Sequence, residues 1–215
     1  MTTEPEAQLL HELVAVAARR APSALALVHD KAALSYAGLD RAVRGLAAAL
    51  LGLGLQRTDR VGIYLEKRFE AVVGSFAAPA AGGVFVPINP LLKPEQVAYI
   101  AADCNVCMLI TSPERLALLL PVLGQCPDLR HVLLTAPAPH LPALPAGVAV
   151  HLLPELFDAP ARPGHRVIDT DLCAILYTSG STGRPKGVML SHRNMVAGAK
   201  SVAGYLGNGP HDTLD

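Results

Sequence analysis

Tryptophan is absent from this 215-residue chain, and aromatic residues make up only 4% of it. Excess charge is absent too, because Lys and Arg total 18 and Asp and Glu total 18. Without a basic stripe, the sequence argues against nucleic acid as the main partner. No uninterrupted apolar run is long enough for a membrane span. The uncharged stretch Ala71 to Leu92 has the length, but Pro79, Gly82, Gly83, Pro87 and Pro90 divide it into helix, turn and strand. The opening Met1-Thr-Thr-Glu-Pro-Glu is acidic and polar, unlike a signal peptide. These absences together lead to the expectation of a soluble cytoplasmic protein.

Cysteine is scarce. Cys104 and Cys107 form one C-x-x-C, with Cys126 and His131 further on, and four such ligands can bind zinc. No second close pair accompanies them, and Cys107 opens the apolar run Met108-Leu109-Ile110. Buried structural thiols are therefore expected and no metal site is assigned. Cys173 reads as a packing residue in a strand. His29, His131, His151 and His165 lack partners at any suggestive spacing.

What the chain does have is an alternation of strand and helix signals. Leu9 to Arg20 reads as a helix. Leu25 to His29 and Ala32 to Leu34 read as a short hairpin around Asp30-Lys31. Ser35 caps a helix whose apolar face is Leu39, Val43, Leu46, Leu50 and Leu53, ending at Gly54. Val61 to Leu65 is a strand, and Phe69, Val72, Val73 and Phe76 mark a helix. Val84 to Val86 is a strand, Pro94 to Ala102 a helix, Cys107 to Thr111 a strand, Pro113 to Leu123 a helix and His131 to Thr135 a strand. This alternation predicts an α/β fold with a mostly parallel sheet and flanking helices. Residues 136–164 change texture to Ala, Pro and Leu and read as a surface excursion with short extended pieces.

The most informative stretch is 173–191. An apolar strand, Cys173 to Tyr177, runs into Thr178-Ser179-Gly180-Ser181-Thr182-Gly183-Arg184-Pro185-Lys186-Gly187, and a helix starts near Ser191. Glycines let backbone N–H groups approach phosphate oxygens, hydroxyls add donors and the lysine adds a charge. The loop is not a Walker A motif, which requires Gly where Pro185 stands and Ser or Thr where Gly187 stands. It is not a dinucleotide fingerprint either, since Gly180 and Gly183 lack a close-spaced first glycine. Its glycine content suggests a loop that orders when a nucleotide binds. Arg184 reads as solvated, and Ser191 as the N-cap of the following helix. His192, in the first turn of the helix, reads as surface or capping decoration rather than a catalytic group.

The string Tyr177-Thr178-Ser179-Gly180-Ser181-Thr182-Gly183-x-Pro185-Lys186-Gly187 resembles the signature loop of the adenylate-forming superfamily, which comprises acyl-CoA synthetases, peptide synthetase adenylation domains and luciferases. Leu34-Ser35-Tyr36, Asp59-Arg60-Val61 and Ala81 to Pro90 resemble earlier elements of the same superfamily, in the same order. These earlier elements read as scaffold. The resemblance implies ATP and Mg2+, and a reaction in which a carboxylic acid becomes an acyl-adenylate with release of pyrophosphate. The acyl group then passes to a thiol, with CoA the first choice and a carrier-protein thiol the second. It implies that Thr178, Ser179, Gly180, Ser181, Thr182, Gly183 and Lys186 hold the ATP phosphates. Lys186 is the catalytic charge-neutralising group, and Thr182 is a candidate for a place near the magnesium.

Segments that hold adenine and ribose in the superfamily are not found here, nor is its small domain with a catalytic lysine. The chain is accordingly expected to be an incomplete N-terminal AMP-binding domain over 1–215. Its missing C-terminal half would be supplied in cis or in trans, or the chain would be a non-catalytic remnant. An acyl-CoA ligase is the first expectation and an amino-acid-activating adenylation domain the second. The strand ending at Tyr177 is expected to lie at an exposed sheet edge.

Overall fold

A computed structural model describes residues 6–140, 143–178, 184–209 and 212. The chain opens with helix α1 (Glu12–Arg20) and a two-stranded antiparallel hairpin, β1 (Leu25–His29) and β2 (Ala32–Ser35). Ser35 then caps α2 (Tyr36–Gly52), its hydroxyl accepting from the Gly38 N–H at 3.2 Å. The expected apolar face of α2 is the buried one: Leu39, Val43, Leu46 and Leu50 all lie in the core.

From there strand and helix alternate: β3 (Arg60–Tyr64), α3 (Phe69–Ala80), β4 (Val84–Pro87), α4 (Pro94–Asp103), β5 (Val106–Thr111), α5 (Pro113–Leu119) and β6 (His131–Leu134). Helix α5 is shorter than the expected Pro113 to Leu123 because Pro121 cannot continue it, and the remainder forms a 3-10 turn at Leu123–Gln125. Three strands follow: β7 (Ala149–Leu152), β8 (Leu172–Thr178) and β9 (Lys186–Ser191), the last leading into α6 (His192–Leu206).

The main sheet has the order β7-β6-β5-β3-β4-β8-β9. Every pair is parallel except β8 with β9. Alternation along the strands feeds two cores. Val61, Ile63, Phe85, Met108, Ile110 and Leu133 face α1, α2 and α3 on one side. Tyr64, Val84, Val86, Leu109, Val132 and Leu134 face α4 and α5 on the other. A mostly parallel sheet covered by helices on both faces is the architecture the strand–helix alternation predicts.

The proline-rich stretch is more than a surface excursion. Its strand β7 pairs with β6 at the sheet edge, Leu153 is fully buried, and its backbone reaches across to α2. A Cβ placed on Gly45 would lie 1.7 Å from the Phe157 carbonyl oxygen, so this contact requires glycine.

Candidate functional site

Strand β8 enters the sheet beside β4 and is parallel to it, so its Thr178 end lies with the carboxyl ends of the parallel strands. That is where open α/β sheets place ligands. Strand β9 returns antiparallel, and Thr178 pairs with Lys186 as the last rung of the ladder. The hydroxyl-bearing and ammonium-bearing residues of the motif thus sit opposite each other at the open end of a hairpin. Both are exposed, and Lys186 makes no ion pair among the described residues. The other predicted phosphate ligands, Ser179, Gly180, Ser181, Thr182 and Gly183, lie outside the described residues.

One expectation about this hairpin needs correction. Lys186 to Ser191 is a strand, so β8 is an interior strand and β9 forms the edge. The helix starts at His192, as expected, but a whole strand separates it from the glycine-rich loop. Ser191 pairs with Leu172, at the opposite end of β8 from Thr178. A six-residue strand spans about 20 Å, so the N-terminal dipole of α6 is too far away to act on a ligand at the loop.

The far end of β9 is a structural junction. Ser191 Oγ accepts from the Asn194 N–H at 3.2 Å, and Asn194 Oδ1 accepts from the Ser191 N–H at 3.0 Å, a reciprocal cap as expected of Ser191. His192 is not surface decoration: it is 1% exposed, and its Nδ1 accepts the Leu10 N–H at 3.0 Å. The edge of its ring meets His11 with centroids 5.9 Å apart. Burial first and His11 second hold its pKa down to about 4, against the opposing pull of Asp171, Glu12 and Asp169. Its place, one strand length from Thr178 and Lys186, makes it a tether for the N-terminal segment.

Other histidines also have partners that spacing did not reveal. His131 Nδ1 and His151 Nε2 are 3.1 Å apart across β6 and β7, and His165 Nε2 lies 3.0 Å from the Leu55 carbonyl. All four cysteines are free thiols. Burial pushes Cys107 up to about 11 and Cys173 up to about 12, as inert packing groups behave. Among the described residues no group of three or more His, Cys, Asp or Glu is placed to hold a metal ion, and no helix is long and apolar enough to cross a membrane.

The residues that pure sequence reading missed lie on α4. Tyr177 OH donates to Asp103 Oδ2 at 2.5 Å, and Tyr99 OH lies 3.4 Å from the Pro185 carbonyl oxygen. Arg184, exposed as expected, has its guanidinium 5.9 Å from the centre of the Tyr99 ring. Burial and the Asp103 acceptor keep the Tyr177 phenol protonated, its pKa raised well beyond the ordinary tyrosine value. The signal was present in the sequence only as two polar residues, Tyr99 and Asp103, four apart in the apolar second half of the helix.

The model of the AMP-binding enzyme family matches residues 14–214, and the chain belongs to that family. It is 31% identical over 202 residues to surfactin synthase subunit 2 of Bacillus subtilis (strain 168), covering 94% of this chain and 5% of that protein. Tyrocidine synthase 3 of Brevibacillus parabrevis is 32% identical over 206 residues, covering 94% of this chain and 3% of that protein. Among solved structures, the anthranilate CoA ligase AuaEII in complex with anthranoyl-AMP matches with a TM-score of 0.80 at 25% identity, over 92% of this chain and 37% of the other. MbtA of Mycobacterium smegmatis matches with a TM-score of 0.81 at 27% identity, over 93% and 36%. The chain therefore spans a small part of the two synthases and a little over a third of these solved relatives.

Proposed function

We propose that this chain supplies the ATP-phosphate hairpin of an adenylate-forming ligase. The observation that carries this reading is the register of β8 and β9, which sets Thr178 against Lys186 at the carboxyl end of the sheet, within a chain that matches the AMP-binding family. In the reaction, a carboxylate oxygen attacks the α-phosphorus of ATP, and the bond to the bridging oxygen breaks to release pyrophosphate. A thiol then attacks the acyl carbon and AMP departs.

The first step asks the protein mainly for positioning and for neutralisation of a highly charged leaving group. Lys186 supplies a mobile positive charge to the β- and γ-phosphates, and Thr178 supplies a hydroxyl donor. Ser179, Ser181 and Thr182 add hydroxyls, while Gly180 and Gly183 open the backbone to the oxygens. Bound Mg2+ supplies further charge neutralisation, with Thr182 the candidate residue beside it.

Two thiol acceptors are compatible with this first step. The surfactin and tyrocidine synthases among the relatives favour a carrier-protein thiol and an amino-acid-like substrate. The likeness to an anthranilate CoA ligase supports CoA and an aromatic acid. Thioester formation measured in the full-length protein, with CoA and with a phosphopantetheinylated carrier as competing acceptors, separates the two.

Residues 1–215 by themselves are expected to bind MgATP weakly, through its phosphates, and not to form acyl-adenylate. Turnover by this isolated chain in an exchange assay with labelled pyrophosphate would overturn that expectation. Lys186→Ala is expected to weaken MgATP binding about 10- to 100-fold, the loss of one charge-assisted contact. Calorimetric titration reads this directly, and an unchanged affinity would remove Lys186 from the site.

A further inference from the structure

Helix α4 touches both arms of the phosphate hairpin. Tyr99 and Asp103 are separated by one helical turn and so lie on the same face. Asp103 receives the Tyr177 hydroxyl from the arm that enters the loop, at 2.5 Å. Tyr99 reaches the Pro185 carbonyl on the arm that leaves it, at 3.4 Å, the long end of hydrogen-bond range, and its ring lies beneath Arg184.

The hairpin is shaped to permit this. Gly187 is the cross-strand partner of Tyr177, and a Cβ there would lie 2.8 Å from Ile175 Cγ2 and 3.3 Å from Tyr177 Cζ. A side chain at position 187 would crowd both Ile175 and the Tyr177 ring. Glycine in the motif thus has a role beyond backbone access to phosphate: it makes room for the aromatic ring that joins the strand to the helix.

We propose that α4 is a clamp that fixes the two arms of the hairpin, with Tyr99 and Asp103 as positioning residues for nucleotide phosphates. The proposal rests on the reading of the hairpin as a phosphate site. The ladder of β8 and β9 ends at Thr178 and Lys186, and nothing in that ladder alone sets the angle at which the hairpin leaves the sheet. The contacts with α4 do so, on the side of the sheet that α4 covers. Where chemistry depends on placement, an error of about 1 Å costs on the order of 100-fold in rate.

The test uses residues 1–215 with Tyr177→Phe, Asp103→Ala, the double variant, Tyr99→Phe and Asp103→Asn. Two quantities are read: amide hydrogen exchange along the hairpin arms without ligand, and MgATP affinity. In Tyr177→Phe and in Asp103→Ala, exchange at residues 176–178 and 186–188 should quicken about three- to ten-fold, as loss of one hydrogen bond predicts, while β3 and β5 stay unchanged. The double variant should add nothing to either single one, since both remove the same contact. Tyr99→Phe should act more weakly, and Asp103→Asn, which keeps an acceptor, should restore wild-type exchange. MgATP affinity should fall by a similar factor in the two strong variants and recover in Asp103→Asn.

Unchanged exchange in Tyr177→Phe and Asp103→Ala overturns the clamp. Faster exchange with MgATP affinity held at the wild-type value also overturns it, because the arms would then move without consequence for the ligand. If the wild-type chain takes up no MgATP while exchange responds as described, the clamp on the hairpin stands and the phosphate reading falls.

Discussion

A histidine in the first turn of a helix is ordinarily a solvent-facing group, yet His192 is almost wholly buried and accepts a backbone N–H from Leu10. Its protonation is held down to about 4, against an ordinary 6.5, chiefly by burial. The unfolded chain takes up this proton near pH 6.5, whereas the folded chain resists until about 4. Acid therefore favours unfolding across that window, and stability is intact above it. His11, His131 and His151 are shifted in the same direction. Urea unfolding should show a loss of about 2–3 kcal/mol from His192 between pH 7 and 4. His192→Gln, which keeps an acceptor for the Leu10 N–H, should flatten that slope, and an equal slope in the variant would refute the assignment. Nothing near His192 in the sequence announced this burial, because the group that receives it lies 182 residues away.

The elements were legible where the signal is local. Helix α2 declares itself by a capping serine and an apolar residue every third or fourth position, and Ser35 and Leu39 to Leu50 behave accordingly. Strand β8 was equally plain as an apolar run ahead of a glycine-rich loop. Strands β7 and β9 were harder because their evidence is in their partners. Ala149–Leu152 is hidden among prolines and owes its conformation to β6. Lys186–Ser191 follows the loop without clear alternation and owes its conformation to β8. The same holds for the site: Thr178 and Lys186 were marked by a motif, while Tyr99 and Asp103 acquire meaning only when α4 is laid against the hairpin. The cap between β9 and α6 was local, and so was read correctly. Ser191→Ala should cost about 1 kcal/mol, measured as a drop in the urea midpoint with unchanged slope. No change would mean that Asn194 and the backbone bonds to Asp171 and Asp169 hold the helix start without the hydroxyl.

At the scale of the whole molecule, the two sheet edges differ. The edge at β7 exposes one large apolar side chain, Val150, and its chain continues into the segment that packs on α2. The edge at β9 leaves Val188 44% and Met189 64% exposed, and the neighbouring α6 leaves Tyr205 90% exposed. An open apolar edge strand is a template for pairing. Sedimentation velocity should show residues 1–215 associating as concentration rises into the tens of micromolar range, roughly where weak apolar contacts act. Met189→Lys should suppress it, and a monomer at all concentrations would show that this edge is not adhesive. The Leu10 to His192 contact has a further consequence, for the order of events as the chain is made. A ribosome delivers about 5–20 residues per second, so Leu10 leaves the tunnel on the order of 10–40 s before its histidine partner. The β3, β4 and β5 strands can pair in that interval, while the Leu10 N–H waits for its acceptor until His192 emerges.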